Sequence, residues 1–406
     1  MKHIIILGDG MADWPVESLG NKTLLQYAKT PYMDKLAKEG KTGLLRTVPK
    51  GFHPGSEVAN LSVLGYNLDD VYEGRGVLEA ASMGVAIASD EMAMRCNLIC
   101  IKANGIIKNH SAGHISNEEA EELIHFLENE LGNDFISFHS GVSYRHLLKI
   151  KNGCKELDCT PPHDVPGKPY RPLLVKALSG KAQDTANLIN QLIVKSQQLL
   201  SNHPINKKRE AEGKDPANSI WPWSPGYRPR MNKLSEIYPI IKKGSVISAV
   251  DLIKGIGVYA GLDSIDVEGA TGLYDTNYEN KVSASLEALK TQDFVYLHIE
   301  ASDEAGHEGD VGLKLKTIEN LDSRAVKPIY EAIQKMNEPV AVAILPDHPT
   351  PCEIRTHTSD PVPFLIWYPG IEPDLVTTYD EKSVEKGGYG VLDGDEFLNE
   401  FMKIEK

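Results

Sequence analysis

Residues 293–307 read DFVYLHIEASDEAGH: an apolar run, a short polar turn, then Asp303 and His307 four positions apart. The run Asp293–Ile299 has the length and the aromatic and β-branched content of a buried strand. Two other apolar runs end in the same manner. His3–Leu7 leads into Asp9, and Val340–Leu345 leads into Asp347 and His348, with His357 further on. A helical stretch over roughly 314–336 separates the runs at 293 and 340, and VPFLIWY (362–368) reads as a further strand. This alternation predicts an α/β domain with a mainly parallel sheet. Ligands of such sheets gather beyond the carboxyl ends of the strands, so these Asp and His residues are expected on one rim.

Outside that core, TPYMDKLAKEG (30–40) predicts a helix capped by Thr30, opened by Pro31 and ended by Gly40. SNEEAEELIHFLENELG (116–132) predicts a second, with Ser116 or Asn117 at its start, and residues 183–200 a third. The charged NKKREAEGKDPANS (206–219) reads as an exposed loop. WPWSPGYRPRM (221–231) suits neither strand nor helix and reads as an ordered functional loop or an interdomain contact.

The length of 406 residues is that of two or three domains. Asp and Glu outnumber Lys and Arg by 57 to 43, a net charge of −14, which argues against a nucleic-acid or anionic-membrane partner. A few local arginines can still hold a small phosphorylated substrate. No apolar run approaches the ~20 residues that span a bilayer. The N-terminal apolar run is too short for a signal-peptide core. The five cysteines, at 96, 100, 154, 159 and 352, contain no CxxC pair. These features point to a cytoplasmic protein.

Asp and His together suit Zn²⁺, Mn²⁺ and related divalent ions. Asp303 and His307 would share one face of a helical turn. In HPGSEVANLSVLGY (53–66), Ser56 sits at the start of a helix-like run, where the macrodipole favours phosphate. A metal-activated nucleophile and a plain N-cap are both readings of this serine, and its local sequence favours the cap.

With those residues in view, the chain resembles the cofactor-independent phosphoglycerate mutases of the archaeal type, within the alkaline phosphatase superfamily. The resemblance rests on GDGMAD (8–13), PGSEVANLSVLGY (54–66), EGRG (73–76), GVSYRHLL (141–148), DLIKGIG (251–257), EGATGLYDTNYENK (268–281), DEAGHEGD (303–310), PDHPTP (346–351) and SDPVPF (359–364). It implies an alkaline-phosphatase-like metal domain over 1–76 and 270–406 and an inserted α/β transferase domain over 77–269. It implies two divalent ions, Mn²⁺ first and Zn²⁺, Co²⁺ or Mg²⁺ after it, with no bisphosphoglycerate. Asp9, Ser56, Asp347 and His348 would hold one ion, and Asp303, His307 and His357 the other. The implied reaction passes the phosphoryl group of 3-phosphoglycerate to Ser56 and back to the 2-hydroxyl of retained glycerate. Lys254 and Arg145 would assist. Substrate would be bound by His114, Arg145, His163, Asp164, Arg228, Arg230 and Lys254.

The chain departs from the family at Glu57 and Asn60, where Asp and His are usual, and at Pro349 and Ser359, where Ser and Gly are usual. These departures mark a side branch and keep a homoserine kinase-like phosphotransferase open as one alternative; a metal-dependent phosphate-ester hydrolase on the same catalytic frame is another. No GxxxxGK[ST] loop supports a nucleotide site. Ser56 is followed by Glu-Val-Ala rather than P-x-R, which opposes a sulfatase.

Overall fold

The computed structural model describes residues 1–403. The chain forms two compact units, Met1–Tyr72 together with the chain from Arg230 onward, and Glu73–Pro229. The insertion therefore opens at Glu73, against an expected 77, and closes at Pro229 rather than 269. The later boundary fails because strand Gly244–Ile247 pairs in parallel with Phe294–Ile299, and helix Asp251–Tyr259 packs on helix Ser56–Val63. Residues 230–269 thus complete the first unit.

The first unit is built on an eight-stranded sheet. Its order is Asp263–Ser264, Gly244–Ile247, Phe294–Ile299, Lys2–Gly8, Val340–Leu345, Val362–Trp367, Lys41–Arg46, Gly390–Asp393. All pairings are parallel except those of Val362–Trp367, which runs against both neighbours. No helix lies between Val340–Leu345 and Val362–Trp367, so the chain turns back without the crossover a parallel pair needs. The three central strands are buried along their whole length, which accounts for their continuous apolar reading. Ile4 and Ile6 share one core with Met33 and Leu36 of helix Pro31–Glu39 and with Val282 and Leu289 of helix Tyr278–Thr291.

Two local expectations give way to tertiary contacts. Thr30 precedes helix Pro31–Glu39, but its side chain caps nothing. Asp322 does so instead, accepting from the amides of Tyr32 at 3.0 Å and Met33 at 2.7 Å. Asp322 belongs to a wide turn, Leu321–Val326, that interrupts the helical stretch between Val311–Asn320 and Lys327–Ile333. Pro328 follows directly, and its missing N–H prevents the regular ladder from continuing.

The second unit carries an antiparallel sheet in which Glu91–Ile101 lies between Arg145–Lys151 and Ser219–Gly226. Met92, Met94, Cys96 and Leu98 pack in one core with residues of helices Asn117–Leu131 and Gln183–Leu200. The alternate residues Arg95, Asn97, Ile99 and Ile101 face the other way. Ser219–Gly226 is a strand, contrary to the reading of WPWSPGYRPRM. It pairs on one side only, where Pro222 and Pro225 cost no ladder bonds. The charged stretch after Asn206 is likewise no free loop. Helix Pro204–Ala211 occupies its first half, with Asn206 and Arg209 buried. Asn206 Nδ2 binds the carbonyls of Leu200 and Ala217, and Arg209 binds those of Asp215 and Ala112.

Candidate active site

The carboxyl ends of the three central strands deliver the acidic residues to one place. Asp9 follows Lys2–Gly8 and is anchored by its amide to the carbonyl of Ile299 at 2.9 Å. Asp347 and His348 follow Val340–Leu345, and Asp347 Oδ1 accepts from the amides of Gly10 and His348. Gly10 has φ of +61°, and a side chain there would collide with Asp303 and Thr350. Only glycine permits this approach.

Asp303 and His307 lie on helix Ala301–Glu308, with His307 Nε2 3.2 Å from Asp303 Oδ2. His357 Nε2 is 3.4 Å from the other oxygen of Asp303 and 2.9 Å from His307 Nε2. The His348 and His357 rings lie 3.9 Å apart. His348 Nε2 then stands 3.6 Å from Asp9, 3.4 Å from Asp347 and 3.2 Å from Ser56 Oγ. Asp9, Ser56, Asp303, His307, Asp347, His348 and His357 therefore form one connected set.

Ser56 is the first residue of helix Ser56–Val63, and Gly55 is its N-cap. The hydroxyl is not consumed in capping. It faces His348 at the end of the helix where the macrodipole is positive.

The electrostatics call for cations. Burial raises the Asp9 carboxyl well above its usual range, and the charges of Asp347, Asp303 and Glu300 push it the same way. Asp9 Oδ1 is shut from solvent and accepts no hydrogen bond among the described residues. Burial also opposes a charge on Asp303, but hydrogen bonds from His307 and His357 outweigh it and hold that carboxyl well below the usual range. The hydrogen bond to Asp303 raises His307 to about 9. His307 Nδ1 is 3.0 Å from the carbonyl of Arg355, an arrangement that fixes the ring and leaves Nε2 for a metal. The donor set of imidazoles and carboxylates fits divalent ions.

Sequence reasoning passed over several members of this site. His298, fully buried, puts Nε2 2.9 Å from Asp9 Oδ2 and Nδ1 3.1 Å from Ser248. It lies inside an apolar strand, where a lone His reads as core. Donor atoms of Asp9, His298 and Asp347 lie within 4.8 Å of one another, as do those of Asp303, His348 and His357. Thr350 donates to Asp303 at 2.5 Å, and Ser302 to the carbonyl of Asp9 at 2.6 Å. Glu300 is pushed up to about 8, by burial first and by Asp303 next.

Lys254 lies on helix Asp251–Tyr259, and its ammonium is held by Asp266 at 2.6 Å. The structure records no hydrogen bond between Lys254 and Ser56 among the described residues. Arg230, at the return into the first unit, is exposed.

The inserted unit holds a second cluster. His110 and His163 have ring centroids 6.2 Å apart, and each makes a further edge contact, His110 with Tyr144 and His163 with Trp223. Arg145 lies over Tyr144, which His114 also approaches. His163 is 3.6 Å from the exposed Asp164. Arg228 is exposed and outside this cluster.

The family profile described as 2,3-bisphosphoglycerate-independent phosphoglycerate mutase matches residues 37–206. A protein of that description from Methanosarcina mazei is 51% identical over 405 residues, covering 99% of this chain and 100% of its own. The solved structure of a Pyrococcus horikoshii protein aligns with a TM-score of 0.83 at 30% identity, over 100% of this chain and 98% of that one. A cofactor-independent phosphoglycerate mutase from Thermoplasma acidophilum aligns at 0.69 and 26% identity over 99% of both chains.

Proposed function

The chain belongs to the 2,3-bisphosphoglycerate-independent phosphoglycerate mutases, isomerases that interconvert 3- and 2-phosphoglycerate, and from that premise we propose that Ser56 carries the phosphoryl group between the two positions. The observation that supports this most directly is the uncapped Ser56 hydroxyl, 3.2 Å from His348 within the Asp and His set.

In this reading Ser56 Oγ forms a bond to phosphorus as the ester bond to O3 breaks. The proton lost by Ser56 replaces the phosphoryl group on glycerate. The reverse exchange at O2 then yields 2-phosphoglycerate and restores the serine. Asp9, Ser56, Asp347 and His348 would hold one divalent ion, and Asp303, His307 and His357 another, with Mn²⁺ ahead of Zn²⁺, Co²⁺ and Mg²⁺. Such ions supply positive charge to the phosphate oxygens and lower the pKa of the Ser56 hydroxyl. Thr350, Ser302 and Asn60 keep the carboxylates and the serine helix in register. Arg145, His114, His163 and Asp164 of the inserted unit would bind the glycerate portion and keep water from competing, with Arg228, Arg230 and Lys254 as further contacts.

Ser56→Ala with Mn²⁺, followed by ³¹P NMR with 3-phosphoglycerate as the only phosphate source, tests the assignment. Formation of 2-phosphoglycerate should fall at least a thousandfold in a folded, metal-loaded variant. A fully active variant overturns it.

A further inference from the structure

We propose that His298 is a positioning residue: its Nε2–H holds one oxygen of Asp9 so that the other is presented to a divalent ion, and the Ser248 hydroxyl sets the tautomer that allows this. The proposal rests on the reading of Asp9 as a metal ligand.

Strand pairing brings the three groups together. Phe294–Ile299 lies between Gly244–Ile247 and Lys2–Gly8, with Leu297 opposite Ile247 and His298 opposite Leu7. His298 is therefore flanked by Ser248, which follows the first neighbour, and by Asp9, which follows the second. His298 is fully buried, and Ser248 and Asp9 are nearly so.

The hydrogens follow from what each group can give. The Val250 amide can only donate, and it does so to Ser248 Oγ at 3.0 Å. The Ser248 hydroxyl keeps one proton of its own, and His298 Nδ1 stands 3.1 Å away. An ionised Asp9 can only accept, so His298 Nε2, 2.9 Å from Asp9 Oδ2, carries a hydrogen. Burial favours the neutral ring, which has a single N–H. Nδ1 is then bare, and the Ser248 proton satisfies it. Both ring nitrogens are matched, which leaves His298 no lone pair for an ion.

The two oxygens of Asp9 are thereby made unequal. Oδ2 is closed by His298. Oδ1 is shut from solvent, accepts no hydrogen bond among the described residues, and lies 3.6 Å from His348 Nε2. A ligand oriented through one oxygen and open at the other is what a partner behind a metal ligand produces. The relay begins at Val250, the N-cap residue of helix Asp251–Tyr259, which packs on helix Ser56–Val63. The orientation of Asp9 is thus tied to the element that supports the serine.

The test uses the full-length protein and Mn²⁺ alone, with the free ion read by its electron paramagnetic resonance signal. Asp9→Ala identifies the site that depends on Asp9. His298→Leu should weaken that site about 10- to 100-fold. His298→Gln, whose side-chain amide can donate to Asp9, should recover most of the loss. Unchanged affinity in His298→Leu, or equal weakening in His298→Gln, overturns the proposal. Unchanged binding in Asp9→Ala overturns the metal reading of Asp9 and the proposal with it. Should His298→Leu fail to fold, neutron diffraction from the unsubstituted, Zn²⁺-loaded protein gives the answer. Deuterium is expected on His298 Nε2, with the Ser248 hydroxyl turned towards a bare Nδ1. Deuterium on Nδ1, or a zinc ion on Nε2, overturns the proposal. Metal binding involves no phosphoserine, so these outcomes keep their meaning if Ser56 proves not to be the nucleophile.

Discussion

Asn60 donates from Nδ2 to Asp347 Oδ2 at 2.9 Å. The same amide nitrogen binds the carbonyl of Ser56 at 2.8 Å, and Asn60 Oδ1 accepts from Tyr296. One fully buried amide thus ties the serine helix to the strand end that carries Asp347 and His348. Asn60→Ala should weaken Mn²⁺ about 10- to 100-fold, the usual effect of losing a partner that orients a metal ligand. Activity should return when Mn²⁺ is raised in proportion. Metal titration read by activity checks this, and an unchanged Mn²⁺ requirement contradicts it.

Lys314 is a fully buried lysine whose ammonium holds Asp13 at 2.8 Å and the carbonyls of Ala12 and Thr350. It joins the loop after Asp9 to the loop after His348. Lys314→Met strands the Asp13 charge and should cost about 3–5 kcal/mol in urea unfolding. Adding Asp13→Leu should recover part of that loss.

Asp322 should prove to be the cap of helix Pro31–Glu39. Asp322→Ala leaves the Tyr32 and Met33 amides unpaired and should destabilise by about 1–2 kcal/mol. Asp322→Asn keeps an acceptor and should lose less, whereas Thr30→Ala should be close to neutral in the same chemical melts.

Acid should destabilise the fold through two buried histidines. Burial pushes His3 down to about 4 and His146 down to about 3. Each takes up a proton in the unfolded chain near pH 6.5 but stays neutral in the folded one until the lower pH. The unfolded state therefore binds more protons in that window, and stability falls as pH drops from about 6.5 toward 4, by up to ~1.4 kcal/mol per pH unit per group. Urea melts of chelated protein at several pH values measure the slope, and His3→Leu should flatten it.

Much of the Asp and His cluster was legible because parallel strands advertise their carboxyl ends. Asp9, Asp303 and Asp347 each follow an apolar run, and His307 follows Asp303 at helical spacing. His298 was hidden because it interrupts such a run from within. Asn60 was visible only as a departure from the family pattern, since nothing local to a helix says that its amide will meet a strand end more than two hundred residues away. Ser56 read locally as a cap, and only the position of Gly55 in three dimensions frees its hydroxyl. Strand Ser219–Gly226 was concealed by Pro222 and Pro225, which are tolerated because the strand pairs on one side. The span 230–269 was assigned to the insertion because long-range pairing of a four-residue strand, Gly244–Ile247, leaves little trace in composition.

The central claim is that the phosphoryl group rests on Ser56. Its most direct test is rapid acid quench of Mn²⁺-loaded protein turning over 3-phosphoglycerate, followed by mass spectrometry of the peptide containing Ser56. The account predicts a phosphate on Ser56 that appears before 2-phosphoglycerate accumulates and disappears as substrate is exhausted. Steady formation of 2-phosphoglycerate with Ser56 never modified, in a protein whose Ser56→Ala form is equally active, would contradict it.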